Sequence, residues 1–187
     1  MFYFVRHGET DYNVAKRTQG QSESKLTEKG IWQTKDVAKK LQNYDIDEIY
    51  CSPLSRTRIT AEEINKYHNL EIKFDDRLME RNSGSRQGKY YKDLTPEEKK
   101  LWQTNPELWG AESRLEFYNR CKEFFKTIEK SDKNILLVSH GGVWRNLRRY
   151  FDNEDTDFTK DLYYEIDNCE IDQLNKYMKE HFSEWKL

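Results

Sequence analysis

Apolar and polar positions along this chain alternate between a strand rhythm and a helix rhythm. "FYFV", Phe2 to Val5, is a short continuous apolar run, the mark of a strand buried on both faces. Thr27 is placed to cap a helix that runs to about Asn43, with Ile31, Trp32, Ala38 and Leu41 near one face. "DEIYC" reads as a second strand. In "SPLSRTRITAEEINKYH", Ser52 stands at an N-cap position and Pro53 at the first helical position, where its missing N–H costs nothing. "LEIKF" reads as a third strand.

The segment from Asp75 to Ala111 has no clean period beyond a short helical stretch near "TPEEKKLWQ", so a variable loop or lid is expected there. A helix from about Ser113 to Lys130 precedes "NILLVS", a run typical of a central parallel strand. "HGGVWRNLRRYF" opens a further helix. "YYEIDNCEIDQL" alternates as two short strands joined near Asp167 and Asn168, and "KYMKEHFSEWKL" reads as a last amphipathic helix or a loose end. The rhythm predicts an α/β fold, a three-layer α/β/α sandwich with a mostly parallel central sheet, in one domain over residues 1–187.

Composition narrows the function. The 32 basic and 34 acidic residues leave a net charge of −2, which gives no global attraction for nucleic acid or an anionic membrane. Any anion site must therefore be local. No apolar run approaches the roughly 20 residues that span a bilayer, and the N-terminal residues lack a secretory pattern. Cys51, Cys121 and Cys169 are odd in number and far apart, so they read as packing thiols rather than a disulfide or zinc set. The expectation is a reduced, cytoplasmic protein, with oligomeric state left open.

In a parallel sheet, ligands sit beyond the carboxyl ends of the strands. Arg6 and His7 end the first strand, Ser52 to Arg56 follow the second, and Ser139, His140 and Gly141 end "ILLV". Three loops far apart in sequence would then meet in one crevice. Arginines can bind phosphate oxygens bidentately, and N–H groups at helix starts add dipolar attraction. One imidazole in line with phosphorus could attack it, provided a carboxyl group protonates the departing alcohol.

Six blocks, "VRHGETDYN", "RTQG", "LTEKG", "SPLSRTRITA", "LMERNSGSRQG" and "VSHGGV", together resemble the histidine phosphatase superfamily, in the branch related to cofactor-dependent phosphoglycerate mutase. The resemblance implies that His7 is the nucleophile, that Arg6 and Arg56 bind the phosphoryl group, and that His140 hydrogen-bonds it. It implies that Glu80 is the acid and then the base, that Asn13, Gly20 and Gly141 border the phosphate, and that no metal or cofactor takes part. Departures from the pattern are Glu23 and Lys25 in "QSESKLT", Arg86 in "GSRQG" and Arg58 beside Arg56. Arg58 and Arg86 are expected as additional substrate contacts, and Arg81, Arg86, Lys89, Tyr90 and Tyr91 hint at an acidic or polyphosphorylated ligand. His68 and His181 read as surface residues.

The implied function is hydrolysis of a small phosphate monoester through phospho-His7. A phosphoglycerate-type mutase and a non-catalytic phosphate or phosphoprotein binder are the alternatives. The interval from Glu80 to His140 looks too short for the sequence by which mutases retain and reorient their intermediate. Substrate preference is expected to reside in residues 75–111.

Overall fold

The computed structural model describes residues 1–151 and 165–174. Among the described residues, five strands form one sheet in the order β3-β2-β4-β1-β5. They are β1 (Phe2–Arg6), β2 (Glu48–Cys51), β3 (Ile72–Phe74), β4 (Ile135–Ser139) and β5 (Ile171–Leu174). The first four are parallel, and β5 closes the β1 edge antiparallel. The α-helices among the described residues are α1 (Asp11–Val14), α2 (Glu28–Leu41), α3 (Ser55–Asn65), α4 (Pro96–Thr104), α5 (Arg114–Ile128) and α6 (Gly141–Phe151).

Alternation along the buried strands makes the three layers. Phe2 and Phe4 of β1, with Ile135 and Leu137 of β4, face the apolar cluster built by α5 and α6. Val5, Leu136 and Val138 face the opposite cluster with Val37, Ala38 and Leu41 of α2 and Ala61 and Ile64 of α3. Because successive strand residues point to opposite faces, a run such as "ILLV" supplies both cores at once. Among the described residues, no helix is long and apolar enough to cross a membrane.

Some expectations shift. Thr27 caps α2 by accepting from the Gly30 N–H, but the buried stripe is Gly30, Thr34, Val37, Ala38 and Leu41. Ile31 and Trp32 fall outside it and are exposed, Trp32 because it lies nearly half a helical turn away. α3 starts at Ser55, not beside Pro53, because Ser52 stays on the sheet. Its N–H donates to the Val138 carbonyl, prolonging β2, and its carbonyl accepts from Thr57 Oγ1. Of the two strands expected in "YYEIDNCEIDQL", the described residues contain Ile171–Leu174 alone. His68 is half-buried rather than superficial. "KYMKEHFSEWKL" and His181 lie outside the described residues.

Candidate active site

The register of the central strands assembles the site. Arg6 pairs with Ser139, so the next residue on each strand, His7 and His140, must be neighbours. Their rings stand edge to face with centroids 5.3 Å apart. Cys51 pairs with Val138, which brings Ser52 alongside, and Ser52 Oγ lies 2.8 Å from His140 Nε2. Three strand ends therefore meet beside one cavity of about 1040 Å³, lined by His7, Arg56 and Gly141, while Ser52 and His140 are fully buried and not among its lining residues.

Hydrogen bonds set the tautomer of the first imidazole. His7 Nδ1 lies 2.8 Å from the Gly8 carbonyl, which can only accept, so Nδ1 carries the proton and Nε2 keeps its lone pair. Burial depresses the His7 pKa well below its ordinary value, and the nearby Arg56 and Arg6 charges add to this. The ring is thus neutral at physiological pH. The Asn168 side chain donates to the His7 carbonyl at 2.8 Å and braces the same residue from the β5 side. His140 is likewise held neutral by burial and by Arg56, and its buried Nδ1 has no hydrogen-bond partner among the described residues. With Ser52 on Nε2, Nδ1 is the ring nitrogen that stays open.

Gly8, next to His7, packs against the start of α2. A Cβ at Gly8 would stand 2.7 Å from the Gly30 carbonyl, so this glycine lets the end of β1 touch the first turn of α2.

Both arginines are oriented by backbone carbonyls. Arg56, 1% exposed, donates to the Gly20 carbonyl at 2.7 Å and the Ser22 carbonyl at 2.9 Å, which leaves its buried Nε unpartnered. Burial lowers its pKa to about 10, so it stays cationic at neutral pH. Arg6 donates to the Ile166 carbonyl at 2.7 Å and keeps a buried Nε that, like that of Arg56, has no partner among the described residues. Asn13 uses Oδ1 to accept from Thr10 in the capping box of α1, so its amide NH₂ is the end available to the cavity it lines. Gly20 and Gly141 line the same cavity.

Glu80 enters from the segment after β3. Its carboxyl accepts from the Arg81 N–H at 2.8 Å and from the Gly142 N–H at 3.1 Å, in the first turn of α6. Ser139 Oγ donates to the Leu78 carbonyl and ties this segment to β4. Arg120 of α5 completes the clamp, donating to the carbonyls of Arg77 and Met79 at 2.9 and 3.0 Å while pairing with Glu112 through two bonds of 2.8 Å. Nothing in its local sequence marks Arg120 for this clamp, since the carbonyls it holds lie some forty residues away.

These positions match a known pattern over nearly the whole chain: residues 2–184 fit the histidine phosphatase superfamily, branch 1. The chain belongs to that superfamily. It is 37% identical over 144 residues to phosphoserine phosphatase 1 of Hydrogenobacter thermophilus, covering 73% of this chain and 68% of that protein. It is also 37% identical over 149 residues to the probable phosphoglycerate mutase GpmB of Escherichia coli, covering 74% and 68%. The solved structure of mycobacterial glucosyl-3-phosphoglycerate phosphatase superposes with a TM-score of 0.78 at 26% identity, covering 91% of this chain and 87% of that one.

Two expected contacts fall outside the cavity of this superfamily member. Arg58 is exposed on α3 with its guanidinium 4.1 Å from the centre of the Phe74 ring, because one residue or two from Arg56 is the wrong face of a helix. Arg86 turns back to donate to the Tyr90 carbonyl at 2.7 Å and braces its own loop. The superfamily departure at Glu23 is absorbed locally: its carboxylate accepts from the Ser55 hydroxyl at the start of α3. Further lining residues that sequence reading did not place are Lys16, Arg17, Arg114, Trp102 and, on α6, Arg145 and Arg149. Arg145 is four residues beyond Gly141, one helical turn, and that spacing was the available signal. Among the described residues no cluster of three or more His, Cys, Asp or Glu side chains could hold a metal ion.

Proposed function

We propose that this chain hydrolyses a small phosphate monoester through a phosphohistidine formed at His7 Nε2. The observation that carries the reading is the His7 Nδ1 to Gly8 carbonyl contact, which leaves a neutral, fixed nucleophile beside two unpartnered guanidinium Nε groups. The Nε2 lone pair forms the N–P bond as the P–O bond to the alcohol breaks. Arg6, Arg56 and Asn13 gather charge on the equatorial oxygens, and His140 Nδ1 adds a hydrogen bond. Glu80 delivers its proton to the departing oxygen. It then takes a proton from water as that water attacks phosphorus, the N–P bond breaks, and phosphate and neutral His7 are regenerated. Relatives named as phosphoserine and glucosyl-3-phosphoglycerate phosphatases support the same chemistry.

Residues 75–111, which supply Glu80, Arg81, Ser83 and Trp102 to the cavity, are the segment that selects the substrate in this reading. The three free cysteines suit a reducing compartment such as the cytoplasm. A phosphoglycerate-type mutase is the second reading, favoured by the name of the Escherichia coli relative.

Phosphate release from a panel of monoesters, by the wild type and by His7→Ala, tests the proposal. Release that survives chelators and disappears in His7→Ala is expected. Equal background rates for both proteins would favour a binding module, and phosphoglycerate interconversion faster than phosphate release would favour the mutase.

A further inference from the structure

The cavity holds more positive charge than one phosphoryl group requires. Among the described residues, eight cationic side chains line it against two carboxylates, Glu80 and Glu165, although the chain as a whole is slightly acidic. Arg6 and Arg56 serve the phosphoryl position. Arg145, Arg81 and Arg114 form a second group on the wall made by α6, the start of α5 and the segment after Glu80.

Arg145 is the informative member. It makes no hydrogen bond or ion pair among the described residues, whereas Arg148, on the same helix, lies 3.9 Å from the Asp172 carboxylate. It sits in the second turn of α6, and helical side chains lean toward the N-terminus, so its charge is carried toward the positive end of the helix dipole. A cation there, without an ion-pair partner among the described residues, attracts an anion entering the cavity. The point where a Cβ would stand on Gly141 is 3.8 Å from Arg6 Cζ and 3.9 Å from Arg145 Nη1. Both guanidiniums therefore border one small patch, and a single compact ester can engage both. Arg81 lies behind, its guanidinium 4.9 Å from the centre of the Trp102 ring. Burial lowers its pKa, and the charges of Arg114 and Arg145 lower it further against the opposing pull of Glu80 and Glu112.

We propose that the substrate carries a second anionic group, a carboxylate or a second phosphate, on the alcohol it releases, and that Arg145, supported by Arg81 and Arg114, receives it. This rests on the phosphatase reading. A guanidinium is suited to either group because its fixed fork of N–H donors fits two oxygens of a carboxylate or a phosphate.

Two matched pairs of esters test the proposal: phosphoglycerate against glycerol phosphate, and a sugar bisphosphate against the corresponding monophosphate. The wild type should prefer the doubly anionic member of at least one pair by about tenfold to a hundredfold in kcat/KM, the size expected for a charge-assisted bond. The pair that shows the preference identifies the group. In Arg145→Gln that ratio should fall to within about threefold of unity, chiefly through KM, with a smaller fall in Arg81→Gln. A wild-type ratio near one for both pairs, or an undiminished ratio in Arg145→Gln, overturns the proposal. Should Arg145→Gln not fold, Arg81→Gln takes its place, and an undiminished ratio there overturns it. If no ester in either pair releases phosphate, the phosphatase reading itself has failed.

Discussion

Lowering the pH from 7.5 to 5.5 protonates imidazoles in the unfolded chain that the folded chain keeps neutral. His7 is 3% exposed and His140 is fully buried, and burial followed by the Arg56 charge holds both well below the ordinary value of 6.5. The unfolded state then binds more protons than the folded one, so stability is present above pH 6.5 and is lost as the pH falls below it. Each imidazole that stays neutral costs about 1.4 kcal/mol over this range, and the two together about 3 kcal/mol. That is a large share of a typical total of about 5–15 kcal/mol. For a chain of this size it corresponds to a fall in Tm of roughly 6–12 °C. The window avoids the carboxylates with depressed pKa values: Glu48, for example, is held at about 2 by Lys133 and Lys73 and stays charged throughout. Thermal unfolding in phosphate-free buffers, for the wild type, His7→Gln and His140→Gln, measures the effect as a slope against pH. Each variant should lose up to about half of the wild-type slope, whatever its absolute stability, since His68, its pKa also lowered by burial, contributes a further part. A flat wild-type profile, or a full slope in both variants, would refute the reasoning.

Other consequences follow from the same geometry. In Gly142→Ala the new Cβ would stand 2.1 Å from Glu80 Oε1 and 2.9 Å from Phe117 Cε1. The carboxyl group should swing away while the fold survives, lowering kcat on alkyl phosphates by about 10²–10⁴ and far less on an aryl phosphate whose leaving group needs no proton. Arg120→Gln removes the clamp on the Arg77 and Met79 carbonyls and strands Glu112, so urea unfolding should show a loss of about 2–3 kcal/mol together with a reduced kcat. Because the His7 pKa is depressed, the acid limb of kcat/KM should lie below pH 6.5, and a pH-rate profile that already falls with a midpoint above 6.5 would contradict the neutral nucleophile.

Much of this site was legible in the sequence because it lies on strand ends. A short apolar run followed at once by "RHG" or "SHG" places an imidazole at the carboxyl edge of a buried strand, and parallel pairing then has little choice but to set His7 beside His140. Ser52, in contrast, was misread as a helix cap. Serine before proline is a sound local signal, but β2 extends far enough to claim the Ser52 backbone, and its hydroxyl is left for His140. Arg58 and Arg86 were expected in the cavity because charge and proximity in sequence say nothing about helix phase or loop direction. Arg120 and Arg145 were overlooked for the same reason, one being defined by carbonyls distant in the chain and the other by a single turn of helix measured from Gly141.

The covalent step on His7 is the centre of this account. Mixing the enzyme with phosphate-labelled substrate, quenching within the first turnover and mapping the label by peptide mass spectrometry observes it directly. The account predicts an acid-labile, alkali-stable phosphoryl group on His7, absent from His7→Ala and longer-lived when Glu80 is replaced by Gln. Label on any other residue, or single-turnover phosphate release with no label on His7 in either the wild type or Glu80→Gln, would contradict it.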